Sequence, residues 1–244
     1  MVKGTFTFRE TEYDNWANNL WQIQEKPGKP EAIEVIVESA CLTAFAVLMH
    51  LLAEHRGLTA GRAVTKALAS LGFIIAALAV GALHSLFGIL LLSGLILSFL
   101  GDILLLGSAD KVFRIGLAAF LIGHLVYMTA FLILGIDLIF FFSATVAAAV
   151  AGVWAFNWLK PHIPQNLLFP VSAYIIIISL MAASAAGCTA DGAPFRLLIG
   201  ALLFYLSDII VARNRFIKPA FVNKIVGLPL YYAGQLLIAS TAGI

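Results

Sequence analysis

The stretch Ser98-Phe99-Leu100-Gly101-Asp102-Ile103-Leu104-Leu105-Leu106 places a carboxyl group inside a long apolar segment. No Asp, Glu, Lys or Arg occurs from Ala67 to Gly101, and four further apolar residues follow Asp102. A charge at the centre of a membrane helix costs at least about 2.5–3.5 kcal/mol on insertion scales, so a residue of this kind usually has a function. The pattern recurs in Phe204-Tyr205-Leu206-Ser207-Asp208-Ile209-Ile210-Val211. Two aspartates in two apolar segments are therefore the main feature to be explained.

The composition is that of a membrane protein with several spans. Of the 244 residues, 61% are hydrophobic and 11% are charged, whereas about a quarter of a soluble domain is charged. The net charge of +2 is nearly balanced, and the basic residues are scattered among the loops, so no nucleic-acid partner is indicated. The two cysteines, Cys41 and Cys188, show neither a disulfide framework nor zinc-ligand spacing.

Eight apolar segments are long enough to cross a bilayer, which needs about 20 residues. Because backbone groups in lipid must hydrogen-bond within the segment, these are predicted helices, and the alternating pattern of a membrane barrel is absent. The prediction is an all-α polytopic membrane protein, an eight-transmembrane-helix bundle over residues 33–244. Residues 1–32 are polar with interspersed aromatics, and we expect an interfacial or partly disordered tail and no signal peptide. The predicted segments are 33–53, 65–83, 86–106, 114–134, 138–159, 167–187, 195–213 and 223–242.

The basic residues predict an orientation in the membrane. Ten of the 15 Lys and Arg residues fall in the loops after the first, third, fifth and seventh segments. Such loops are usually cytoplasmic, so we expect both termini outside. We expect the membrane to be the cytoplasmic membrane of a bacterium rather than the endoplasmic reticulum.

Polar groups on five segments lie at a similar distance from the Lys- and Arg-rich loops. Asp102 and Asp208 each lie about one turn from that side, and Lys66 is expected to open the second segment there. His124 and Tyr127 share one face of the fourth segment. We therefore expect one polar cavity in this half of the bilayer. The other candidates at this depth are Ser98, Ser207, Tyr231, Tyr232 and Gln235.

Ordinary structural roles stay open for most of these residues. His124 alone is compatible with a histidine bonded to a neighbouring carbonyl, and Ser98 and Ser207 with packing residues bonded four residues back. Lys66 is compatible with a side chain that extends to the membrane surface. The aspartates are harder to explain structurally, because a structural pair needs two cations and Lys66 is the only plausible one.

The order and spacing of these motifs resemble the YhhN family, the lysoplasmalogenase-like eight-helix membrane proteins. The resemblance covers the second to the eighth segments, and it departs at Ala67, where a proline is expected after the lysine. The motifs are Thr65-Lys66, Ser98-x-x-Gly101-Asp102, Gly116-x-x-x-Phe120-x-x-x-His124-x-x-Tyr127, Tyr174, Met181, Gly200-Ala201-x-x-Phe204-x-x-Ser207-Asp208, Phe216 and Tyr231-Tyr232-x-x-Gln235.

The resemblance implies hydrolysis of the vinyl ether bond of lysoplasmalogens, which are lysophospholipids with a 1-alkenyl chain. The products would be a fatty aldehyde and glycerophosphoethanolamine or glycerophosphocholine, and no cofactor or metal is implied. This chemistry needs an acid that protonates the β-carbon, a base for water and a negative charge near the oxocarbenium ion. Two buried carboxyl groups cannot both ionise easily, so one supplies the proton and the other the charge.

These requirements assign roles to the candidate residues. Asp102 and Asp208 are predicted to be the catalytic pair, and the sequence leaves open which of them is the acid. His124 and Tyr127 are the further catalytic candidates. Lys66 is predicted to hold the lipid phosphate. The remaining candidates for substrate binding are Ser98, Ser207, Tyr231, Tyr232 and Gln235.

Three alternatives remain at this point. Intramembrane Asp and His side chains also form proton relays, so a proton-coupled transporter of lipids or small molecules is the second hypothesis. Against it, the internal repeat is weak, and Pro229 is the nearest approach to a broken helix. A lipid-binding or assembly protein without catalysis is the third. A zinc-dependent version of the hydrolase would use His124, Asp102 and Asp208 as ligands.

Overall fold

The computed structural model describes residues 29–107 and 109–244. Over these ranges the chain forms eight α-helices and no β-strand, which confirms the all-α class and the helix count. A π-helical turn, Arg213–Ile217, extends the seventh helix, and the 3₁₀ turns are Ala82–His84, Lys160–His162 and Gln165–Leu167. The helices are α1 (Lys29–His55), α2 (Thr59–Ala79), α3 (Leu86–Leu104), α4 (Asp110–Ile133), α5 (Leu138–Leu159), α6 (Leu168–Ala190), α7 (Phe195–Ala212) and α8 (Phe221–Ala239).

Within the described ranges, seven helices, α1 to α7, are long and apolar enough to cross a membrane. The protein is therefore an integral membrane protein. The eighth predicted span, α8, lies below this limit because Asn223, Lys224 and Gln235 interrupt its apolar sequence. Most of its polar side chains face protein, since Asn223, Gln235 and the hydroxyl-bearing Tyr231 and Tyr232 are buried, and Lys224 is half-buried. Helix α8 packs most extensively on α7 and also contacts α1, α2 and α3.

The predicted start of the second helix, at residue 65, is wrong by six residues. Helix α2 begins at Thr59, so Lys66 lies two turns inside the helix and not at its opening. The helix starts earlier because its hydrogen bonds begin in a polar first turn, where the N–H of Arg62 donates to the Leu58 carbonyl oxygen at 3.0 Å. Residues 1–28 of the predicted polar tail lie outside the described residues, and Lys29 already begins α1.

Helices adjacent in the chain form antiparallel pairs, as the short connections predict. The most extensive contacts are α1 with α2, α3 with α4, α5 with α6, and α7 with α8. Contacts of α4 with α6 and of α2 with α8 join these pairs into one bundle. Helix α5 lies at the edge and packs mainly on α6, and only Gly152, Ala155 and Leu159 of α5 are buried.

Glycines of α3 bring α4 close enough to position its polar face. A Cβ atom on Gly94 would lie 2.4 Å from the ring of Tyr127, and one on Gly101 would lie 2.5 Å from the ring of Phe120. Small residues allow membrane helices to approach closely. The packing of Gly94 on Tyr127 sets the position of the Tyr127 ring. The packing of Gly101 on Phe120 sets the position of the helical turn from Phe120 to His124.

Candidate functional site

A cavity of about 480 Å³ lies at one end of the bundle, and all eight helices contribute to its lining. Asp102 and Asp208 both line this cavity, together with Lys66. The cavity extends to Gly107, after α3, and to Arg215, after α7. Its polar end is therefore at the Lys- and Arg-rich loops, and the sequence-predicted aspartates share one chamber.

Asp102 is a buried carboxyl group with several donors around it. The Nζ of Lys66 lies 3.2 Å from its Oδ1 atom. Ser70 donates a hydrogen bond to Oδ2 at 2.7 Å, and Tyr231 donates to the same oxygen at 2.8 Å. A cation and two hydroxyl donors stabilise the ionised form of a carboxyl group. The side chain is 4% exposed, so most of its surface contacts protein.

Asp208 has different surroundings. Tyr174 donates a hydrogen bond to its Oδ2 atom at 2.6 Å, and Nε2 of His124 lies 3.7 Å from the same oxygen. Among the described residues, no Lys or Arg lies within 4.0 Å of this carboxyl group. Its side chain is 17% exposed, about four times as much as that of Asp102, so Asp208 is the more accessible of the two aspartates that line the cavity.

His124 lies behind Asp208 and does not line the cavity. Its Nδ1 atom is 2.6 Å from the carbonyl oxygen of Phe120, a geometry that assigns the ring proton to Nδ1. The Nε2 lone pair is then directed to Asp208, and this buried nitrogen makes no hydrogen bond to the described residues. The rings of Phe204 and Tyr174, with centroids at 4.7 and 5.2 Å, hold the imidazole in place.

A hydrogen-bonded chain connects α4 and α8 with Asp102. Tyr127 donates to Oε1 of Gln235 at 2.9 Å, and Nε2 of Gln235 donates to the Tyr231 hydroxyl at 3.4 Å. Tyr231 then donates to Asp102. Tyr127 and Gln235 therefore reach the carboxyl group only through Tyr231, and neither lines the cavity. Tyr232 lies beside the chain, with its hydroxyl 3.3 Å from Ser70 Oγ.

The two predicted serines differ in position. Ser207 lines the cavity, whereas Ser98 is buried between helices outside the lining. Neither hydroxyl has a hydrogen-bond partner among the described residues. In the same part of the chain, no group of three or more His, Cys, Asp and Glu side chains could hold a metal ion, so the geometry does not assemble the zinc ligands considered above.

The position of Lys66 corrects one expectation. The side chain is 11% exposed, lines the cavity and pairs with Asp102, so it is held within the bundle rather than at the start of the helix. The reason is the earlier start of α2, which places Lys66 on the second turn. Three polar residues near the carboxyl groups and the mouth were missed as site candidates: Ser70, Tyr174 and Glu54. Ser70 follows Lys66 by four residues on the same helix face, and this spacing was a usable signal.

Sequence comparisons relate the chain to known proteins. The model of the YhhN family matches residues 61–242. The chain is 30% identical over 155 residues to human (Homo sapiens) lysoplasmalogenase TMEM86A, a match that covers 61% of this chain and 63% of that protein. It is 34% identical over 164 residues to the lysoplasmalogenase of Mycobacterium tuberculosis, covering 63% of this chain and 59% of that protein.

The aligned regions thus span less than two thirds of the length of these relatives. No solved structure matches the chain. Because the family model covers α2 to α8, including both intramembrane aspartates, the chain belongs to the YhhN family.

Proposed function

We propose that this protein is a membrane-embedded hydrolase that cleaves the vinyl ether bond of a lysoplasmalogen. One observation carries the proposal: two carboxyl groups with contrasting surroundings line the same cavity, one with a cation beside it and one without. The names of the relatives, lysoplasmalogenases from human and from Mycobacterium tuberculosis, supply the substrate.

The cavity has the chemistry that a single-chain lipid requires. Its volume of about 480 Å³ lies within the roughly 300–1,000 Å³ usual for ligand sites. Charged side chains gather at the mouth, where a headgroup would lie. Apolar side chains line the cavity together with the two aspartates and would surround the alkenyl chain; they include Leu117, Ile175 and Ile178.

In the first step, Asp208 acts as the general acid. A carboxyl group in apolar surroundings without a neighbouring cation favours its protonated form. Tyr174 and His124 approach Oδ2, and Oδ1 has no hydrogen bond to the described residues, so Oδ1 is the atom that presents the proton to the cavity. Transfer of this proton to the β-carbon of the vinyl ether leaves an oxocarbenium ion and the Asp208 carboxylate.

In the second step, the Asp208 carboxylate acts as the base. It accepts a proton from a water molecule while the water oxygen bonds to the α-carbon, which forms a hemiacetal and restores the protonated acid. The hemiacetal then collapses: the bond between the α-carbon and the glycerol oxygen breaks, the hydroxyl proton passes to that oxygen, and an aldehyde and an alcohol are released. One water molecule is consumed, and Asp208 ends in its starting state.

Asp102 supplies a fixed negative charge near the oxocarbenium ion. Its Oδ1 atom contacts the Lys66 ammonium group and its Oδ2 atom accepts hydrogen bonds from Ser70 and Tyr231, so both oxygens are already occupied by donors. A preorganised charge stabilises a developing opposite charge without reorganisation during the reaction. The chain from Tyr127 through Gln235 to Tyr231 holds one of these donors in place, which makes Tyr127 and Gln235 positioning residues.

The test is aldehyde release from a lysoplasmalogen by the purified protein in detergent. We expect Asp208→Asn to lower kcat by at least about a hundredfold, because general acid–base catalysis is worth roughly 10²–10⁴-fold. Asp102→Asn should also lower kcat by at least about a hundredfold, because it removes the fixed charge beside the oxocarbenium ion, and losing one such preorganised group costs roughly 10²–10³-fold. The double variant should lose much less than the product of the single losses, since residues that act together are not additive.

The control is thermal stability, measured in the same detergent for every variant. An Asn variant that is as stable as the wild type and keeps near wild-type turnover would contradict a catalytic role for that aspartate. A wild-type protein that releases no aldehyde would contradict the proposed reaction itself.

Proton-coupled transport is the second candidate. The buried chain from Tyr127 to Asp102 favours it, because hydrogen-bonded chains of this kind also conduct protons in membranes. Uptake of a lysolipid into proteoliposomes that depends on a pH gradient, without aldehyde release, would support transport over hydrolysis.

A further inference from the structure

We propose that Arg62 and Lys224, organised by Glu54 at the mouth of the cavity, form the binding site for the phosphodiester of the lipid headgroup. This inference deepens the proposed function and rests on it for the choice of a lysophospholipid as the ligand. It moves the phosphate from Lys66, where the sequence placed it, to two cations that approach from different helices.

Glu54 is the centre of this cluster. Lys224 donates to its Oε2 atom at 2.5 Å, and Arg62 lies 3.5 Å from the same oxygen. Nε2 of His50 lies 3.8 Å from Oε1. The carboxyl group is 11% exposed and so is held within the protein. Two cations that share one oxygen atom are close enough to share one phosphate group.

The cations remain accessible from the cavity. The side chains of Arg62 and Lys224 are 32% and 34% exposed, and both line the cavity with Glu54. In contrast, Lys66 is 11% exposed and is occupied by Asp102. A phosphate that enters from the headgroup layer would therefore meet Arg62 and Lys224 first.

The charges at the mouth favour a monoanion. Among the described residues, Lys66 is paired with Asp102 and Arg215 with Asp110, each with one carboxylate for one cation. Arg62 and Lys224 share the single carboxylate of Glu54, and Asp208 is the protonated acid of the proposed mechanism, so one positive charge in the lining is uncompensated. A phosphodiester carries one negative charge, and Arg and Lys are its usual partners in proteins.

The ends of two helices add to this preference. Arg62 lies in the first turn of α2 and Lys224 in the first turn of α8. Neither helix has an acidic residue in its first turn or a side-chain hydrogen bond at its N-cap. The partial positive charge of a helix N-terminus favours anions, so the two helix starts act in the same direction as the side chains.

The test compares two ligands that the enzyme cannot cleave. One is a 1-O-alkyl lysophosphatidylethanolamine, in which a saturated ether replaces the vinyl ether, and the other is a 1-O-alkylglycerol with the same chain. We expect Arg62→Gln and Lys224→Gln each to weaken binding of the phospholipid at least about tenfold, measured by equilibrium dialysis in detergent. Binding of the alkylglycerol should not change.

The matched controls are Arg114→Gln and Lys111→Gln, which remove exposed cations near the same end of the bundle outside the cavity lining. They should bind both ligands as the wild type does. Arg62→Lys retains the charge and should recover part of the lost affinity, which separates a charge effect from misfolding.

Soluble glycerophosphoethanolamine should compete with the phospholipid in the wild type but bind more weakly, since it lacks the chain. Equally tight binding would mean that the ligand is a soluble phosphodiester, and would overturn the assignment to a lipid headgroup.

Unchanged phospholipid affinity in both Gln variants would overturn the inference, and so would an equal loss for both ligands. The assay needs no turnover, so its result does not depend on the proposed reaction. If Arg62 and Lys224 distinguish the two ligands but the protein releases no aldehyde, the phosphate site would be supported and the proposed hydrolysis would be contradicted.

Discussion

At the scale of single residues, the two intramembrane carboxyl groups are distinguished by the donors that reach them. Asp102 contacts Lys66 and accepts hydrogen bonds from Ser70 and Tyr231. Among the described residues, Asp208 accepts a hydrogen bond from the Tyr174 hydroxyl alone, and its Oδ2 atom lies 3.7 Å from Nε2 of His124. A buried carboxylate needs a cation and hydrogen-bond donors beside it, as Asp102 has. A carboxyl group that donates a proton needs surroundings without a cation, as Asp208 has within the described part of the chain. These contacts support the proposed assignment of Asp208 as the acid and Asp102 as the anion, which the sequence left open.

Tyr174→Phe should lower kcat by roughly tenfold to a hundredfold with little change in KM. The substitution removes the hydroxyl that orients Asp208 but keeps the ring that packs on His124. Tyr205→Phe is the matched control, because the Tyr205 hydroxyl contacts Ser179 and no carboxyl group. Steady-state aldehyde release by both variants is the measurement. Equal losses in the two variants would show that the contact with Asp208 has no special role.

Lys66→Gln should lower kcat and the free energy of unfolding together. Without the ammonium group, Asp102 becomes a buried carboxylate without its cation, and breaking a buried ion pair costs as much as about 3–5 kcal/mol. Lys66→Arg should retain more of both properties. Kinetics and thermal unfolding in detergent test this prediction. A rise in KM without a change in kcat or stability would instead indicate that Lys66 binds the lipid phosphate.

At the scale of helices, close backbone contacts set the distance between the elements that carry the site. Gly200 of α7 and Gly234 of α8 face each other, and a Cβ atom on either would lie 2.8 Å from the carbonyl oxygen of the other. Asp208 follows on α7 and Tyr231 precedes on α8, so the contact holds the two sides of the cavity together. Helix pairs in membranes depend on such small residues because packing, rather than burial from water, drives their association.

Gly200→Ala should destabilise the bundle by about 1–3 kcal/mol, the usual cost of forcing an extra methyl group into a packed interface. The atoms that it meets include backbone atoms of Gly234 and Ile238, which cannot move independently of α8. Gly227→Ala is the comparison, because the nearest atom there is a side-chain atom of Ile210 at 3.1 Å, which can shift. Thermal unfolding in detergent should rank Gly200→Ala as the less stable variant, and the reverse order would refute the packing argument.

At the scale of the whole molecule, the cavity is a chamber with its charged mouth at one end of the bundle. Its lining reaches the ends of α1, α3 and α7 and the starts of α2, α4 and α8. Antiparallel packing brings these six ends to the same side of the membrane. A lipid that enters laterally would therefore bring its headgroup to this end and its chain toward the aspartates.

Thiol labelling tests this one-sided opening. In a protein without Cys41 and Cys188, Asp208→Cys and Asn214→Cys should react with an impermeant reagent added on the side of Lys111, since both positions line the cavity. Arg196→Cys, at the start of α7, should react only from the other side. Labelling of Asp208→Cys and Asn214→Cys from opposite sides would exclude a single chamber.

The sequence alone determined the all-α class, the number of helices and the shared depth of the polar residues. The reason is local: an apolar run of sufficient length must form a helix in lipid, and alternating helix direction assigns each residue its depth. The start of α2 was misplaced, because hydropathy marks only the apolar part of a helix, and its polar first turn at Thr59–Arg62 lies outside that part.

Tertiary structure decided which side chains meet. Tyr174 and Asp208 are separated by 34 residues, Tyr127 and Gln235 by 108, and Glu54 and Lys224 by 170. Helical periodicity places each of these side chains on one face, but the rotation and packing of the helices decide which neighbour that face contacts. The ion pair of Asp102, the absence of a Lys or Arg beside Asp208 among the described residues, and the Glu54 cluster all depend on that packing. They could therefore not be predicted from any single stretch of sequence.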